Sequence, residues 1–565
     1  MTIFPWLNHY DAGVPKTLIY PEGPISSLLE GAAKRAPERT ALEFLGYTMT
    51  YGSLLENARK FANSLAALGV QKGDRVAIML PNCPQYLIAF FGTMLLGAVV
   101  VNTNPLYVAR ELEQQLIDSG AETLITLNLF YPRYAEIAAN VPIKRVIIST
   151  VADFLPFPKN LLYPIKAKRD KTWVDVPVAP NIVAFKKLLE PNVSSSAPKI
   201  VVQPDDLALL QYTGGTTGTP KGARLTHRNL MSNTTSASSW ITNQTDASDV
   251  VLCVIPFFHV YGMTVAMNMA IKSAATMILL PRFQIKDVLE AIHKHKVTMF
   301  PGVPTMYVAI NNHPEVKKYN LSSIKICLSG AAALPLEVAK AFTALSGGQL
   351  LEGYGLTECS PCATNNPILG ERREGSIGMP IPGVELAILS PELEPLPVGE
   401  IGEIAIAGHH IMQGYWQREA ATAEAIREIG GKRWLLTGDM ARMDEAGYFY
   451  IVDRKKDMIA ASGYNVYPRE VEEVIYQHNA VQECVVVGVP DAYRGETVKA
   501  FLVLRQGSSL TPEELTEFCK TQLAAYKVPK QIEFRLELPK SAIGKILRRV
   551  LRDEEAAKQP PPSAL

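Results

Sequence analysis

The sequence predicts a large N-terminal α/β domain, with parallel or mixed sheets covered by helices, followed by a smaller, mobile α+β domain. Three observations support this fold class. The chain has 565 residues, which is too many for one ordinary hydrophobic core. Buried strands alternate with amphipathic helices over its first part, as in sheets covered by helices. Near residue 450 this alternation gives way to short strands, charged turns and a helix.

The first helices and strands lie between residues 53 and 127. The spacing of Ser53 and Glu56 predicts a capping box, and apolar residues then follow on one helical face until Gly69 ends the helix. That face comprises Leu54, Ala58, Phe61, Ala62 and Leu65. The segments RVAIML, AVVVN and TLITL predict buried strands, separated by a helix after Pro84 and by the helix ARELEQQLIDSG.

The longest apolar run, YLIAFFGTMLLGAVVV, covers residues 86–101. It is shorter than the ~20 residues that a membrane-spanning helix needs, and two glycines interrupt it. We therefore expect a buried helix that leads into a strand.

The segment FLPFPKNLLYPIKAKRDK, residues 154–171, interrupts the large domain. It places aromatic and aliphatic residues beside Lys159, Lys166, Lys168, Arg169 and Lys171. We expect a loop here. Two interpretations stay open: contact with an anionic membrane surface, or a solvated loop with a few packed apolar anchors.

The C-terminal part predicts a strand, a charged turn, a second short strand and a helix after Pro468. The strands ECVVVGVP and TVKAFLVL and a helix over residues 511–523 follow. The final DEEAAKQPPPSAL is polar and proline-rich, which predicts a frayed tail. We expect a large domain over residues 1–452, a mobile domain over residues 453–555, and the tail over residues 556–565.

Composition and charge limit the classes of partner. The chain has 56 Lys and Arg against 55 Asp and Glu, which argues against a nucleic-acid binder and favours small molecules. The N-terminal MTIFPWLNHYDAG lacks the basic and apolar regions of a secretory leader, so we expect a cytoplasmic protein whose seven cysteines are reduced. Cys359 and Cys362 have no second pair or nearby histidine to complete a metal site, so we expect them to be structural.

The stretch YTGGTTGTPKG, residues 212–222, has the composition of a phosphate-binding loop. It is not a Walker loop, because Pro220 stands where the second glycine belongs and Gly222 has no hydroxyl for a magnesium ion. Its glycines allow close approach of backbone amides to an anion, and its hydroxyls and lysine add donors and charge. These residues are Gly214, Gly215 and Gly218, Thr213, Thr216, Thr217 and Thr219, and Lys221.

Three further stretches carry polar residues suited to nucleotide chemistry. EGYGLTE, residues 352–358, offers a carboxylate for magnesium at Glu358, but the position of Glu358 excludes a dinucleotide fingerprint. WLLTGD delivers Asp439 to a sheet edge, where a carboxylate can accept both ribose hydroxyls. In PKSAIGKILRRVLR, Lys545 follows a glycine turn at the start of a basic helix. Taken alone, EGYGLTE is as compatible with a capped turn, and TGD is better explained by a plain turn. A charged helix face explains most of the cations around Lys545.

Taken together and in order, these motifs resemble those of the acyl-adenylate-forming ligases. The matching stretches are YTGGTTGTPKG, PFFHVYG, EGYGLTE, TGD, VDRKKDMIAASGYNVYPREVE and LPKSAIGK, and they cover nearly the whole chain. The amino acids in these motifs and the extra segment 154–171 are most similar to those of bacterial long-chain fatty acid:CoA ligases. Such enzymes use ATP and Mg²⁺ to join a carboxylate to AMP, release pyrophosphate, and transfer the acyl group to coenzyme A.

The resemblance implies a role for each matching residue. Lys545 would contact the carboxylate and the α-phosphate, His259 would lie beside the carboxylate, and Glu358 and Thr213 would position magnesium. The loop from Thr213 to Lys221 would hold the β- and γ-phosphates. The nucleotide site would also include the adenine-stacking Tyr354, the ribose ligands Asp439 and Arg454, and the lining residues Gly330, Ala331, Gly353, Gly355 and Thr357.

The second step needs a thiol where Lys545 had been, and the resemblance implies that the small domain rotates to allow this. Asp453 matches the hinge residue of the family, and Gly463 matches the small residue that leaves room for the pantetheine arm of coenzyme A. The family also implies a homodimer.

The chain length of the substrate stays open. Some long-chain enzymes have a tryptophan gate shortly after the histidine, whereas Tyr261, Gly262 and Met263 occupy that stretch here. The same wording is similar to that of coumarate ligases, so an aryl or medium-chain acid is the alternative substrate. A non-catalytic lipid-binding scaffold is the alternative from a different class, and the joint presence of Lys545, Glu358, Thr213 and Asp439 argues against it.

Overall fold

The computed structural model describes residues 4–213, 220–242, 248–461, 464–491, 495–542 and 544–558. Within these residues the chain forms four sheets. Three sheets and the largest hydrophobic cluster belong to a large N-terminal domain, and the fourth sheet has a hydrophobic cluster of its own in a smaller C-terminal domain. The predicted combination of a large α/β domain and a smaller α+β domain is confirmed.

A nine-stranded mixed sheet forms one half of the large domain. Strands are numbered in chain order, and its spatial order is β16 (Met379–Pro380), β15 (Cys362–Asn365), β14 (Gln349–Gly355), β13 (Ile326–Ser329), β12 (Met299–Gly302), β10 (Val250–Cys253), β11 (Thr276–Leu279), β1 (Thr40–Phe44) and β2 (Tyr47–Thr50). The run from β14 to β1 is parallel, and the edges are antiparallel.

A seven-stranded sheet forms the other half. Its spatial order is β7 (Ile182–Ala184), β6 (Arg145–Ser149), β5 (Thr123–Leu127), β3 (Arg75–Met79), β4 (Val99–Asn102), β8 (Leu207–Thr213) and β9 (Lys221–Thr226). Only the pair of β8 and β9 is antiparallel among these described strands. The predicted strands RVAIML, AVVVN and TLITL are therefore confirmed as β3, β4 and β5.

Two smaller sheets complete the fold. The third sheet of the large domain contains β17 (Glu385–Leu389), β18 (Gly402–Ala407), β20 (Lys432–Met443) and β19 (Ile426–Ile429), with β21 (Phe449–Arg454) paired to β20. The sheet of the small domain contains β23 (Tyr464–Val466), β22 (Ile459–Ala461), β25 (Gly495–Leu504) and β24 (Val481–Asp491), with β26 (Gln531–Phe534) paired to β25.

Helices cover the faces of these sheets. They are α1 (Ser27–Arg35), α2 (Tyr51–Ala67), α3 (Pro84–Leu95), α4 (Ala109–Ser119), α5 (Tyr131–Ala135), α6 (Lys159–Arg169), α7 (His227–Ser239), α8 (Met269–Lys272), α9 (Ile285–His295), α10 (Pro304–Asn311), α11 (Leu336–Ser346), α12 (Glu419–Ala425), α13 (Pro468–Tyr476), α14 (Pro512–Lys520) and α15 (Arg548–Lys558). The apolar run at residues 86–101 is buried as α3 and β4, as predicted. No helix in the described ranges is long and apolar enough to cross a membrane.

The predicted capping box of α2 is wrong by one helical turn. The helix begins at Tyr51, and the hydroxyl of Thr50 accepts the N–H of Ser53, so that Ser53 lies inside the first turn. Thr50 acts as the cap because its backbone is extended while Tyr51 is already helical and fully buried. The predicted apolar face, from Leu54 to Leu65, is buried as expected.

The prediction of a loop at residues 154–171 is also wrong, because residues 159–169 form α6. Ala167 anchors the helix inward and is buried. The helix ends at Arg169, and Asp170 donates its backbone N–H to the carbonyl of Lys166 at 2.8 Å. The segment contains three prolines, and one of them, Pro164, lies inside the helix.

The C-terminal elements differ from their predictions in detail. Two short strands, β22 and β23, follow the charged turn instead of one. Pro468 is the first residue of α13, and Thr511 caps α14. Helix α15 reaches Lys558, three residues into the predicted tail, because Lys499 forms ion pairs with Glu555 at 2.8 Å and with Glu533 at 2.9 Å. The remainder of the tail, residues 559–565, lies outside the described residues.

The N-terminal strap, residues 4–24, crosses the large domain far from its own sequence neighbours. The carboxylate of Asp11 accepts the backbone N–H groups of Ile368, Leu369 and Gly370 at 2.7, 2.9 and 2.6 Å. The hydroxyl of Tyr10 donates to the carbonyl of Pro380 at 2.6 Å. Charge-assisted bonds of this kind are among the stronger hydrogen bonds, so the strap is fixed to the chain around residues 366–381.

Candidate active site

One large cavity lies where the carboxyl ends of parallel strands meet the small domain. It has a volume of about 1010 Å³, and residues from both domains line it. The strands β8, β13 and β14 point their carboxyl ends towards it, which is the usual place for a ligand in α/β sheets. Fourteen predicted site residues line this cavity: Thr213, Lys221, His259, Gly330, Ala331, Gly353, Tyr354, Gly355, Thr357, Glu358, Asp439, Asp453, Arg454 and Lys545. Their individual roles stay predictions.

Some predicted residues cannot be compared with the structure. Gly214, Gly215, Thr216, Thr217, Gly218 and Thr219 lie outside the described residues, as does Gly463. The two ends of the first segment are described: Thr213 ends β8 and Lys221 begins β9, and these two residues pair across the antiparallel ladder. The hydroxyl of Thr213 points towards the carbonyl of Lys221 at 3.4 Å.

A ring, a carboxylate and a guanidinium group form the centre of the cavity wall. The hydroxyl of Tyr354, at the end of β14, donates to Asp439 Oδ2 at 2.5 Å. Asp439, on β20, forms an ion pair from Oδ1 to Arg454 Nε at 3.0 Å, and the two residues pair directly in the β20–β21 ladder. This arrangement fixes a buried carboxylate beside an aromatic ring. It can bind a planar base and the hydroxyls of an attached sugar.

After β14 the backbone passes so close to Pro361 that residue 355 must be a glycine. A Cβ atom at this position would lie 1.7 Å from the carbonyl oxygen of Pro361, so no other residue fits without moving the chain. The approach turns the chain sharply at Leu356, whose N–H donates to that carbonyl at 3.0 Å. The turn carries Thr357 and Glu358 to the cavity wall.

Glu358 is held by a residue that the sequence did not single out. The hydroxyl of Tyr415 donates to Glu358 Oε1 at 2.7 Å, and the ammonium group of Lys221 lies 5.2 Å from the centre of the Tyr415 ring. No group of three or more potential metal-ligating side chains occurs in the described ranges. One carboxylate and the hydroxyl of Thr213 nevertheless fit Mg²⁺, which is commonly bound through one or two carboxylates with phosphates and water as its other ligands.

Buried amide and hydroxyl groups position the loop that carries His259. Gln211 Nε2 donates to the carbonyl of Phe258 at 2.9 Å, and the hydroxyl of Tyr86 donates to the carbonyl of Phe257 at 2.8 Å. Asn102 joins the two donors, since it accepts from Tyr86 at 2.7 Å and donates to Gln211 at 2.9 Å. This network ties the histidine loop to the ends of β4 and β8.

His259 is a neutral imidazole in this setting. Burial, with a smaller contribution from the charge of Lys545, lowers the pKa of His259 to about 4. Its Nδ1 accepts the N–H of Tyr261 at 3.2 Å, which leaves the proton on Nε2. Nε2 can therefore donate a hydrogen bond to an anionic group in the cavity.

Lys545 reaches the cavity from the small domain. Its backbone N–H donates to Ser541 Oγ at 3.2 Å, and its carbonyl accepts the N–H of Ser541 at 2.8 Å. The carbonyl of the preceding Gly544 accepts the hydroxyl of Thr305 at 3.2 Å, which docks this turn on the large domain. Burial, followed by the charge of Arg454, lowers the pKa of Lys545 to about 8.

A second contact between the domains involves Asp453 and Arg469. The carboxylate of Asp453 is buried, and it accepts the backbone N–H groups of Arg454 at 2.7 Å and Arg469 at 3.0 Å. Burial raises the pKa of Asp453 to about 6. The guanidinium of Arg469 then reaches Glu352 on β14 at 3.6 Å. Asp453 therefore lies at the junction between the sheet of the large domain and the first helix of the small one.

Sequence reasoning missed three contributors to this site. Tyr415 carries no motif of its own, because its neighbours in GYWQRE suggest only a turn. Arg469 lies in a charged helix, and only its ion pair with Glu352, far away in the sequence, distinguishes it from the other charged residues of that helix. Trp240 lines the cavity after α7, and no local pattern distinguishes it from any buried tryptophan.

Comparisons with known proteins agree with this geometry. The family model for AMP-binding enzymes matches residues 29–416, and the model for their C-terminal domain matches residues 470–545. The chain is 48% identical over 553 residues to the long-chain-fatty-acid–CoA ligase of Bacillus subtilis (strain 168), and the match covers 98% of both chains. It is 40% identical over 559 residues to the enzyme of that name from Escherichia coli O6:H1, again over 98% of both.

Among solved structures, the anthranilate CoA ligase AuaEII in complex with anthranoyl-AMP is similar to this chain. The TM-score is 0.85 at 28% sequence identity, and the match covers 95% of this chain and 98% of AuaEII. The family model spans most of the large domain, and these relatives match the chain over nearly its whole length. The chain therefore belongs to the AMP-binding enzymes of the acyl-adenylate-forming superfamily.

Proposed function

We propose that this chain is a long-chain-fatty-acid–CoA ligase that consumes ATP and forms an acyl-adenylate intermediate. One observation carries the proposal: Lys545 of the small domain lines the same cavity as His259 and the Tyr354–Asp439–Arg454 group of the large domain. This combination offers a cation and a hydrogen-bond donor where a carboxylate could meet a nucleotide. The names of the full-length relatives support the fatty acid and coenzyme A as the other substrates.

In the first step a carboxylate oxygen attacks the α-phosphorus of ATP, and the bond from that phosphorus to the bridging oxygen of pyrophosphate breaks. The step brings an anion to a polyanion. At 4 Å and an effective dielectric near 20, one such charge pair costs on the order of 4 kcal/mol. The positive charge of Lys545 offsets the repulsion between the carboxylate and the α-phosphate. Because the ammonium group is already in position, solvent does not have to reorganise during the reaction.

The other residues orient the substrates. His259 Nε2–H donates to the carboxylate, which fixes the attacking oxygen, and Asp439 accepts the ribose hydroxyls while Tyr354 stacks on adenine. Glu358 and Thr213 would hold a magnesium ion, whose charge offsets that of the β- and γ-phosphates when it is bound. Lys221 adds a cation at the end of the predicted phosphate loop.

In the second step the thiol of coenzyme A attacks the acyl carbon, a thioester forms, and AMP leaves with the electron pair of the broken bond. The thiol needs the space that Lys545 fills. We propose that the small domain rotates about Asp453, which brings the segment with Gly463 to the cavity in place of Lys545.

An apolar arm of the cavity favours a long acyl chain over an aryl acid. Its lining includes Ala237, Val265, Met269, Ile377 and Ile381. Burial of roughly ten methylenes contributes on the order of 8 kcal/mol, which a short acid cannot obtain. The hydroxyl of Tyr261 donates to the carbonyl of Leu328 at 2.7 Å, a contact that argues against a swinging gate at this ring. An aryl acid is the second candidate, and the similarity to an anthranilate CoA ligase favours it.

We also propose that α6 docks on an anionic phospholipid bilayer. Apolar side chains of the helix and of Phe157 just before it face solvent: Phe157, Leu161, Leu162 and Ile165 are between 57% and 80% exposed. Leu161, Leu162 and Ile165 lie on the side of the helix opposite the buried Ala167. Exposed cations, Lys166, Lys168 and Lys171, surround them, and each contributes about 1 kcal/mol near an anionic surface. A surface with an apolar centre and a basic rim is better suited to contact with an anionic bilayer than to exposure to solvent.

Assembly as a homodimer stays a prediction from the family resemblance. Light scattering of the purified protein measures it directly.

The first prediction concerns the substrate. Pyrophosphate release is measured with ATP and Mg²⁺ across saturated acids from butanoate to octadecanoate, and with coumarate, in the presence and absence of coenzyme A. We expect release to peak between dodecanoate and octadecanoate and coenzyme A to be consumed. A peak at coumarate or at a short acid would support the alternative substrates, and no release with any acid would support a non-catalytic scaffold.

The second prediction concerns Lys545. Because the ammonium form is required and its pKa is about 8, kcat/KM for pyrophosphate release should fall as pH rises through 8. Lys545→Arg should lose this alkaline decline, since a guanidinium stays charged. Lys545→Ala should release pyrophosphate on the order of a hundredfold more slowly, yet convert preformed acyl-adenylate at a normal rate.

The exposed Lys530 provides the matched control, and Lys530→Ala should behave as the wild type. An alkaline decline that persists unchanged in Lys545→Arg would assign it to another group.

The third prediction concerns Asp453. Proline at this position fixes φ, so Asp453→Pro should slow thioester formation from preformed acyl-adenylate roughly tenfold or more while pyrophosphate release persists. Asp453→Ala removes the carboxylate but leaves backbone rotation free, and it should affect the second step less. A normal second step in Asp453→Pro would refute the hinge.

The fourth prediction concerns α6. Leu161→Glu and Ile165→Glu should each weaken binding to vesicles with phosphatidylglycerol by about tenfold or more, because a buried leucine contributes about 1.5–3 kcal/mol. Leu536→Glu, at an exposed leucine of the small domain, should leave binding unchanged. Co-sedimentation that is insensitive to both helix variants, or equal binding to neutral vesicles, would contradict the docking surface.

A further inference from the structure

Apolar residues of the cavity lining, which we call the apolar arm, continue along the chain from His259 through one helical run. The π-helix Gly262–Asn268 begins three residues after His259 and continues directly into α8. Val265 and Met269 both line the cavity from this run. Met269 therefore lies roughly 10 Å or more from His259 along the helix axis. Ala237 lines the same arm from α7, which packs against the π-helix.

Trp240 is the bulkiest apolar side chain on this arm. It follows α7 by one residue, lines the cavity one helical turn after Ala237, and is only 1% exposed. Its Nε1–H donates to the carbonyl of Asn366 at 2.9 Å, so the plane of the indole is fixed. No other tryptophan in the described part of the chain lines the cavity.

The N-terminal strap supports this indole from behind. The ring of Tyr10 meets the ring of Trp240 edge-on, with centroids 5.1 Å apart and an interplanar angle of 82°. The Tyr10 hydroxyl is bound to the carbonyl of Pro380, between the cavity-lining Ile377 and Ile381. Trp240 thus lies between the strap and the arm and cannot turn aside without breaking both contacts.

We propose that Trp240 closes the arm and sets the longest acyl chain that the site accepts, with Tyr10 as a positioning residue that holds the indole in place. This inference rests on the proposed ligase function and deepens it. An acyl chain that reaches Trp240 meets a fixed ring, so additional methylenes must fold back or stay in water. The wall, and not the chemistry at Lys545, then limits the substrate.

The test compares kcat/KM for thioester formation across saturated acids from octanoate to docosanoate. Trp240→Ala should shift the optimum to longer acids, with a gain of about fourfold for each methylene that the opened arm newly buries. The change for octanoate should be smaller than the change for the longest acids, so that the profile changes in shape and not only in height. Tyr10→Ala should shift the optimum in the same direction by a smaller amount.

A reciprocal variant keeps the test decisive if Trp240→Ala does not fold. Ala237→Phe adds a ring to the arm from α7, one turn before Trp240, and should shift the optimum to shorter acids, the reverse of Trp240→Ala. Trp6→Ala is the matched control, because Trp6 is a buried tryptophan of the strap that does not line the cavity. It should lower the melting temperature without changing the profile.

The outcomes separate the two proposals. An unchanged chain-length profile in a folded Trp240→Ala or Ala237→Phe enzyme that still forms thioester would overturn the role of Trp240 and leave the ligase intact. A change at every chain length alike would assign Trp240 to stability alone and would also overturn it. Failure of the wild type to release pyrophosphate with any acid would overturn the ligase itself.

Discussion

Lys545 lines the cavity together with Asp439 and Arg454, and the proposed reaction depends on this placement of a positive charge. Removing a cation from water costs free energy, and this cost appears as a lowered pKa of Lys545. Neighbouring structure makes the placement tolerable: Asp439 lies close enough to raise the pKa in part, and the Gly544–Thr305 contact fixes the turn. In the proposed second step a permanent cation there would obstruct the thiol. The proposed rotation of the small domain would remove the charge after the first step.

The parts of the site that could be predicted are those that a few adjacent residues determine. Gly355 is required because the carbonyl of Pro361, only six residues away, leaves no room for a Cβ atom. Both residues lie within one short stretch, so the requirement can be recognised in the local sequence. The strands and the buried helix α3 were equally predictable, because hydrophobic periodicity is local. The roles of Tyr354 and Asp439 came from resemblance, and the structure adds the physical link, a hydrogen bond between residues 85 positions apart.

The parts that could not be predicted depend on distant residues. Tyr415 matters because Glu358 accepts its hydroxyl, and Arg469 matters because it reaches Glu352. In both pairs the two residues lie far apart in the sequence, so no local pattern indicates the contact. The α2 cap shows a different failure: Thr50 and Ser53 both have capping side chains, and only the extended backbone of Thr50 decides between them. Helix α6 was missed because its exposed face is apolar, the reverse of the usual pattern.

The strap also has a consequence for the order in which the molecule is built. Its contacts join residues near the beginning of the chain to partners more than 350 positions later: Tyr10 to Pro380, and Asp11 to Ile368, Leu369 and Gly370. Such pairings have very high sequence separation and form late in folding. During synthesis the first segment must remain undocked until about two thirds of the chain has emerged from the ribosome. The strap that packs against Trp240 is therefore synthesised first, yet it can dock only after residues 368–380 have been made.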